Sequence, residues 1–359
     1  MARSDKPPRN RFVAAARKVY NPIGFSKGYN FVLWFIFGGA FFGFTLARLP
    51  YLDFYGVFCS TDSSNTAAQA APGECFYWTQ DFYTIGVMLH LAGILPAALL
   101  ACVQFVPVIR HKAILVHRVN GYIVVILALV GTAGAIMITP RAFGGGIDVQ
   151  TGAGALAIAF VWALAMAYIN IKRLQIEQHR AWMLRAWFWA GSLITIRIIF
   201  FIALAIPKID PQYYAMPCDK IDWMLGGQNQ TLALYPDCQS FYSGQDLTQH
   251  VAVKGTLTGA QNAVEVAAAM DATFGMAIWL GFLIHIVGVE IYLHLTPAEA
   301  ERLRRVSYQR QVEAGMAHPG SAGLTADRLG DSEKWSPPTK EASASEDRIS
   351  EHERQPGCV

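Results

Sequence analysis

Charge is what this chain has least of. Only 15% of its 359 residues are Asp, Glu, Lys or Arg, while 53% are hydrophobic; an ordinary soluble domain carries about 25% charged residues. That shortage argues against a soluble globular protein, and no nucleic-acid partner is expected. The signatures of familiar chemistry are also missing. The sequence has no phosphate-binding G-x-x-x-x-G-K, no H-E-x-x-H, no G-x-S-x-G and no clustered histidine boxes of the desaturase kind. Asp219, Lys220, Ile221 and Asp222 form too weak a pattern for a metal motif. No catalytic residue or reaction is therefore assigned. There is also no internal repeat of the solenoid kind.

What is present is apolar sequence in long blocks, with a mean hydropathy of +0.29. A block of about 20 apolar residues crosses the ~30 Å hydrocarbon layer. Six such blocks are read, at 31–49, 82–108, 116–138, 154–171, 181–206 and 272–295. The expected fold class is all-α: a polytopic membrane protein with a six-transmembrane-helix bundle. Residues 1–28 form a basic tail, with Arg3, Lys6, Arg9, Arg11, Arg17, Lys18 and Lys27 against Asp5. The first block lacks a small-residue cleavage site and reads as a signal anchor. A Gly-rich turn is placed at 141–154. Thr296 followed by Pro297 marks a helix start, so a cytoplasmic amphipathic helix is expected over 296–316. From 317 to 359 the chain is rich in Ser, Glu, Asp, Arg, Gly and Pro and is expected to be disordered.

Lys and Arg gather in the N-tail, in the turns after the second and fourth blocks, and after the sixth, whereas 50–81 contains neither. The positive-inside bias then puts both termini in the cytoplasm and the loops 50–81 and 207–270 outside. Cys59, Cys75, Cys218 and Cys238 all fall in those two loops. Four cysteines allow three pairings, of which local bridges, Cys59 with Cys75 and Cys218 with Cys238, are the simplest. Disulfides imply an oxidising compartment, hence a plasma membrane or a membrane of the secretory pathway. Asn229, Gln230 and Thr231 make a glycosylation sequon in the second exterior loop. Cys102 lies in a span and reads as packing, and Cys358 is not in a prenylation box.

Ionisable groups inside spans are functional candidates. His90, His285 and Arg197 lie within spans; His117, His179 and His294 lie near span ends. Gly93 follows His90 by three positions, Gly121 follows His117 by four, and Gly281 and Gly288 flank His285. Small residues give clearance for a flat macrocycle and equally serve close helix–helix contact. Arg197 shares a helix face with His179; it is either a buried cation lining a ligand-filled interior or the structural partner of Glu265 or Asp271.

Two segments carry a resemblance. A helix with an early His90, an exit of Phe105, Pro107 and Arg110, an entry of His117, Arg118, Gly121 and Tyr122, and the later group His179, Arg180, Trp182, Met183 and Arg185 resemble a bacterial and fungal family of multi-pass membrane proteins of unknown function. More loosely, the layout resembles the ascorbate-dependent transmembrane b-type cytochromes, six-helix proteins whose histidines hold two haems. That resemblance implies haem b as cofactor, with His117 and His179 as the metal ligands of an inner haem. The fourth block has no histidine, so an outer haem would either pair His90 with His285 or be absent, and the resemblance implies the inner haem more than the outer one. The first functional expectation is thus a haem-b electron-transfer protein. The alternatives are a protein that binds or transports a lipid or small hydrophobic molecule, and an accessory membrane protein of a biosynthetic pathway. Membrane lipids and a small-molecule or redox partner are the expected partners.

Overall fold

The computed structural model describes residues 10–60, 70–206 and 212–337. The first part of the expected basic tail and the tail beyond 337, with Cys358, lie outside the described residues. After a short amphipathic helix, α1 (Arg11–Tyr20), six helices among the described residues are long and apolar enough to cross a membrane: α2 (Gly28–Leu46), α3 (Asp81–Gln104), α4 (Ile114–Ile138), α5 (Ile147–Lys172), α6 (Ile176–Ala205) and a later helix at Ala263–His294. Helices suit these segments because hydrocarbon offers no partner for backbone N–H and C=O groups, which a helix pairs internally.

Two boundaries differ from expectation. The Gly-rich turn ends at Gly146, and α5 already includes Gly152 and Gly154. Gly152 serves packing instead: a Cβ there would lie 2.6 Å from Ile278. The last span begins at Ala263, earlier than read from hydropathy, because Asn262 caps it. Its side-chain oxygen accepts from the N–H groups of Val264 (3.0 Å) and Glu265 (3.1 Å).

The chain divides into two compact units, Met1–Phe160 with Trp187–Ile286, and Val161–Ala186 with Val287–Val359. In the first unit, α3 and α4 form an antiparallel pair whose backbones nearly touch. A Cβ at Gly93 would lie 2.5 Å from the amide nitrogen of Gly131, and one at Gly131 would lie 2.8 Å from that of Ile94. Small residues allow the close approach that drives helix association in lipid. Polar side chains stitch the same pair: Asn120 donates to the Leu100 carbonyl (3.1 Å) and Gln104 to that of His117 (2.9 Å). Helix α6 breaks at Gly191.

The connection between α6 and the last span, expected to be one long polar loop, is a folded cap. Strands β1 (Gln212–Pro217) and β2 (His250–Gly255) pair antiparallel, with Gln212 opposite Gly255 and Pro217 opposite His250. Alternate residues of β2, Val251 and Val253, are buried, as a one-sided sheet requires. Helix α7 (Cys218–Leu225) follows β1 directly, and α8 is the last span, Ala263–His294. Met216, Ile221, Val251, Val253, Val264 and Ala268 form the core of the cap. Both local disulfides are present, Cys59–Cys75 and Cys218–Cys238. Asn229 is exposed, whereas the sequon's Thr231 is buried with its hydroxyl donating to the Gly227 carbonyl (3.1 Å).

The second unit corrects the expectation of disorder from 317 onwards. Helix α9 (Pro297–Glu313) is followed by an ordered segment reaching Pro337. Gln175 and Gln311, both fully buried, hold it. Gln175 donates to the Gly320 carbonyl (2.9 Å) and accepts from Gly323 N–H (2.8 Å), while Gln311 accepts from Gly320 N–H (2.7 Å). Asn170 accepts from Leu324 N–H (2.8 Å). Ser307 donates to buried Glu177 (2.7 Å), and Arg304 pairs with Asp327 (2.7 Å). A composition argument counts apolar area and misses order built on buried amide–backbone hydrogen bonds.

Two outcomes follow from this packing. Gly93→Val should lower the thermal midpoint of the detergent-purified protein and weaken the α3–α4 pair, whereas Gly154→Ala, with open space at its Cβ, should leave it unchanged; differential scanning fluorimetry distinguishes them. Gln175→Ala should leave buried backbone groups unpaired at about 1–3 kcal/mol each, seen as faster proteolysis within 317–337 while the six spans stay intact.

Candidate functional site

The polar groups that matter meet where the two disulfide-bonded segments join the helix ends. Cys75 is tied to Cys59, which holds Gly73 and Glu74 in place. Gly73 has φ +80° and lies against Lys220: a Cβ there would be 2.6 Å from the lysine Cε. Lys220 arrives on α7, pinned by Cys218–Cys238. Its Nζ lies 3.2 Å from Asp271 of α8, and both side chains are buried. It also sits 5.6 Å from the centre of the Tyr77 ring. A buried pair of this kind survives only because each charge answers the other; removing one partner strands the second.

Glu74 is 3% exposed. Its Oε2 accepts from the backbone N–H of Phe143 (3.0 Å). Its Oε1 is buried with no hydrogen-bond partner among the described residues. Phe143 adopts φ +47°, a left-handed conformation that a bulky residue rarely holds. The glycines after it allow this: a Cβ at Gly144 would strike the Tyr214 hydroxyl. The conformation turns the Phe143 ring inward, stacked on Phe274 (3.7 Å between centroids) and edge-on to Phe200 (5.7 Å). Arg197 of α6 lies over the Phe143 and Phe274 rings, its guanidinium carbon 5.5 Å and 5.3 Å from their centres. The Asp148 carboxylate packs where a Cβ at Gly275 would be. Burial pushes the Glu74 carboxyl up to about 8 against the opposing pull of Lys220, and pushes Tyr77 up to about 12 and Tyr214 up as well. At neutral pH Glu74 is thus a neutral acid beside a compensated ion pair and a cation resting on aromatic faces. Such a group can give a hydrogen bond or a proton; an ordinary surface carboxylate cannot.

Of these residues, only Arg197 stood out as a site candidate by sequence, and its expected partners differ from the observed ones. Asp271 pairs with Lys220, and Glu265 accepts from Gln261 N–H (2.9 Å); neither forms an ion pair with Arg197. Lys220 lies inside the pattern dismissed as a weak metal motif. Glu74 carries no local signal, since its environment comes from four other segments.

His90 and His285 contact the backbone of neighbouring helices. His90 Nδ1 lies 2.8 Å from the Gly131 carbonyl. His285 has both ring nitrogens engaged, Nδ1 with the Phe188 carbonyl (2.5 Å) and Nε2 with the Thr195 hydroxyl (2.8 Å). The break in α6 at Gly191 interrupts its hydrogen-bond ladder where His285 meets the Phe188 carbonyl. Beside these two histidines the residues do not fit a haem. The clearance expected from Gly93 is taken by the backbone of Gly131, and that from Gly281 by Ile196, 2.5 Å from its Cβ position. His117 belongs to the first unit and His179 to the second. His179 Nδ1 lies 3.0 Å from the Ala167 carbonyl, and His294 Nδ1 3.3 Å from that of Glu290. Among the described residues, no group of three or more His, Cys, Asp or Glu could hold a metal ion.

Residues 87–217 match the family model described as "Predicted membrane protein (DUF2306)". The chain is 27% identical, over an alignment of 340 residues, to "Ava biosynthesis cluster protein G" from Aspergillus versicolor; the match covers 79% of this chain and 94% of that protein. No solved structure matches. The chain is therefore similar, over 87–217, to a family of predicted membrane proteins and, over most of its length, to a fungal biosynthesis-cluster protein. The matched segment includes Phe143 and Arg197 but stops short of Lys220 and Asp271.

The neutral state of Glu74 has a consequence for stability. Its ordinary value is 4.5 and its folded value about 8. Between those values the unfolded chain loses the proton and the folded chain keeps it, so this group's contribution is fully present below about 4.5 and declines as pH rises towards 8. Glu74→Gln removes that slope. Its thermal midpoint relative to wild type should therefore rise between about pH 5 and about pH 8.5; two parallel curves would mean that Glu74 is ionised throughout.

Proposed function

We propose that this protein is a membrane-embedded accessory protein of a small-molecule biosynthetic pathway, and that it engages its small molecule at the Glu74, Lys220, Asp271 and Arg197 cluster. The observation that carries this reading is the buried neutral acid, Glu74, with one oxygen unpartnered among the described residues and beside a desolvated ion pair. Evolution tolerates such an arrangement where it handles a ligand or a proton, because burying uncompensated polar groups is otherwise unfavourable. The Aspergillus versicolor relative, named as a biosynthesis-cluster protein, supports the pathway context. Both disulfides border the cluster, which supports placing it on the lumenal or exterior side, with both termini cytoplasmic. Phe143, Phe200, Phe274, Tyr77 and Tyr214 surround it, which favours a ligand with apolar or aromatic character over a sugar or nucleotide.

The electron-transfer reading finds less support. An outer haem would ask His90 and His285 to leave helix-stitching contacts and their glycines to open a space now filled by other side chains and backbone. A visible spectrum of protein made under haem-sufficient conditions discriminates the two. A colourless folded protein is expected; a Soret band lost in both His117→Ala and His179→Ala would overturn the proposal.

The pathway reading is tested by removing the chain from its host and complementing with wild type or with Lys220→Met combined with Asp271→Leu. Removing both members of a buried pair is close to neutral for folding. Wild type should restore the metabolite profile by mass spectrometry and the folded double variant should not. An unchanged profile on removal would sink the reading.

A further inference from the structure

We infer that the Glu74–Phe143–Arg197 side of the cluster is a receptor for the carboxylate of a small organic acid, with Glu74 Oε1–H donating to one ligand oxygen and the Arg197 guanidinium supplying the opposite charge. The inference rests on the proposed small-molecule role and names the chemistry of the head group.

Three observations carry it. The first is hydrogen-bond inventory. Glu74 Oε2 already accepts from Phe143 N–H (3.0 Å), so a proton on this carboxyl resides on Oε1, the oxygen that has no partner among the described residues. A buried O–H without an acceptor is a costly vacancy unless something else accepts from it.

The second is charge. Lys220 and Asp271 neutralise one another at 3.2 Å. Arg197 has no ion-pair partner among the described residues and lies against the Phe143 and Phe274 faces instead. Arg48, whose guanidinium caps the Phe44 ring at 3.9 Å, acts on Arg197 with like charge, and Arg141 lies 4.9 Å over Tyr77. With Lys220 answered by Asp271, Arg197 is left as a cation resting on ring faces, a charge that a carboxylate answers and an amine or a neutral alcohol does not.

The third is shape. Phe143 links the two recognising groups, its N–H held by Glu74 and its ring beneath Arg197. The strained φ of +47° at Phe143 is what lets one residue do both. A carboxylate has two oxygens, one able to accept from a carboxylic acid and the other to pair with a guanidinium.

The test uses the full-length protein in nanodiscs, with phenylacetate as probe and phenylacetamide, its uncharged isostere, as control. Isothermal titration should show saturable phenylacetate binding, with phenylacetamide at least about ten-fold weaker. Wild-type affinity should fall as pH rises past about 8, because ionised Glu74 then repels the probe instead of donating to it; the limit for one linked proton is about ten-fold per pH unit. Glu74→Gln keeps an N–H donor, so it should bind phenylacetate within about three-fold of wild type at neutral pH and lose that decline, while Arg197→Gln should bind at least about ten-fold more weakly. Equal binding of acid and amide, or no saturable phenylacetate binding to wild type, overturns the inference without recourse to any variant. So does full affinity in a folded Arg197→Gln protein. The outcomes separate from those of the pathway reading. Loss of acid-over-amide selectivity with the metabolite phenotype intact removes only the ligand class, and an unchanged metabolite profile removes the pathway role while the binding result stands.

Discussion

A polar group taken out of water has to find its partner inside the protein, and nearly every feature of this chain answers that constraint. In the spans the backbone answers it alone, as helix. Where helices must come close, glycine removes the side chain so that backbone meets backbone, as Gly93 meets Gly131. Where a helix breaks, a side chain fills in: His285 reaches the Phe188 carbonyl beside the break at Gly191. In the second unit Gln175, Gln311 and Asn170 do the same for the segment around Gly320 to Leu324.

Against that background the Glu74 cluster is an exception. Lys220 and Asp271 satisfy the rule as a pair. Glu74 satisfies it only halfway, by staying protonated and leaving Oε1 without a partner among the described residues. Arg197 satisfies it with ring faces, a weaker substitute for a carboxylate. Two disulfides, a left-handed Phe143 and a Gly-rich turn converge to hold this arrangement. Rigid support around incompletely partnered polar groups is what the proposed small-molecule role rests on, and none of these groups is a histidine.

The histidines show that one sequence pattern can serve more than one role. Those quoted in the family resemblance lie in a segment that does match a family of predicted membrane proteins. Yet flanking glycine and histidine read the same in sequence whether they cradle a macrocycle or knit two helices, because both uses need small volume beside a ring. Only the position of the neighbouring backbone, 2.5 Å from where a Cβ of Gly93 would stand, distinguishes them.

Apolar blocks of bilayer length determined six spanning helices from sequence alone, since hydrophobic length is a one-dimensional property. Cysteine spacing and loop position likewise pointed to the two local disulfides, because short separations favour local closure. The boundaries at Gly146 and Ala263 required a capping side chain and a packing glycine to be recognised as such. Order in 317–337 and the Glu74 environment were decided by tertiary structure. In both, the residues that partner one another come from distant segments, and burial, hydrogen bonding and the protonation of a carboxyl depend on what surrounds a group in space, which linear order does not encode.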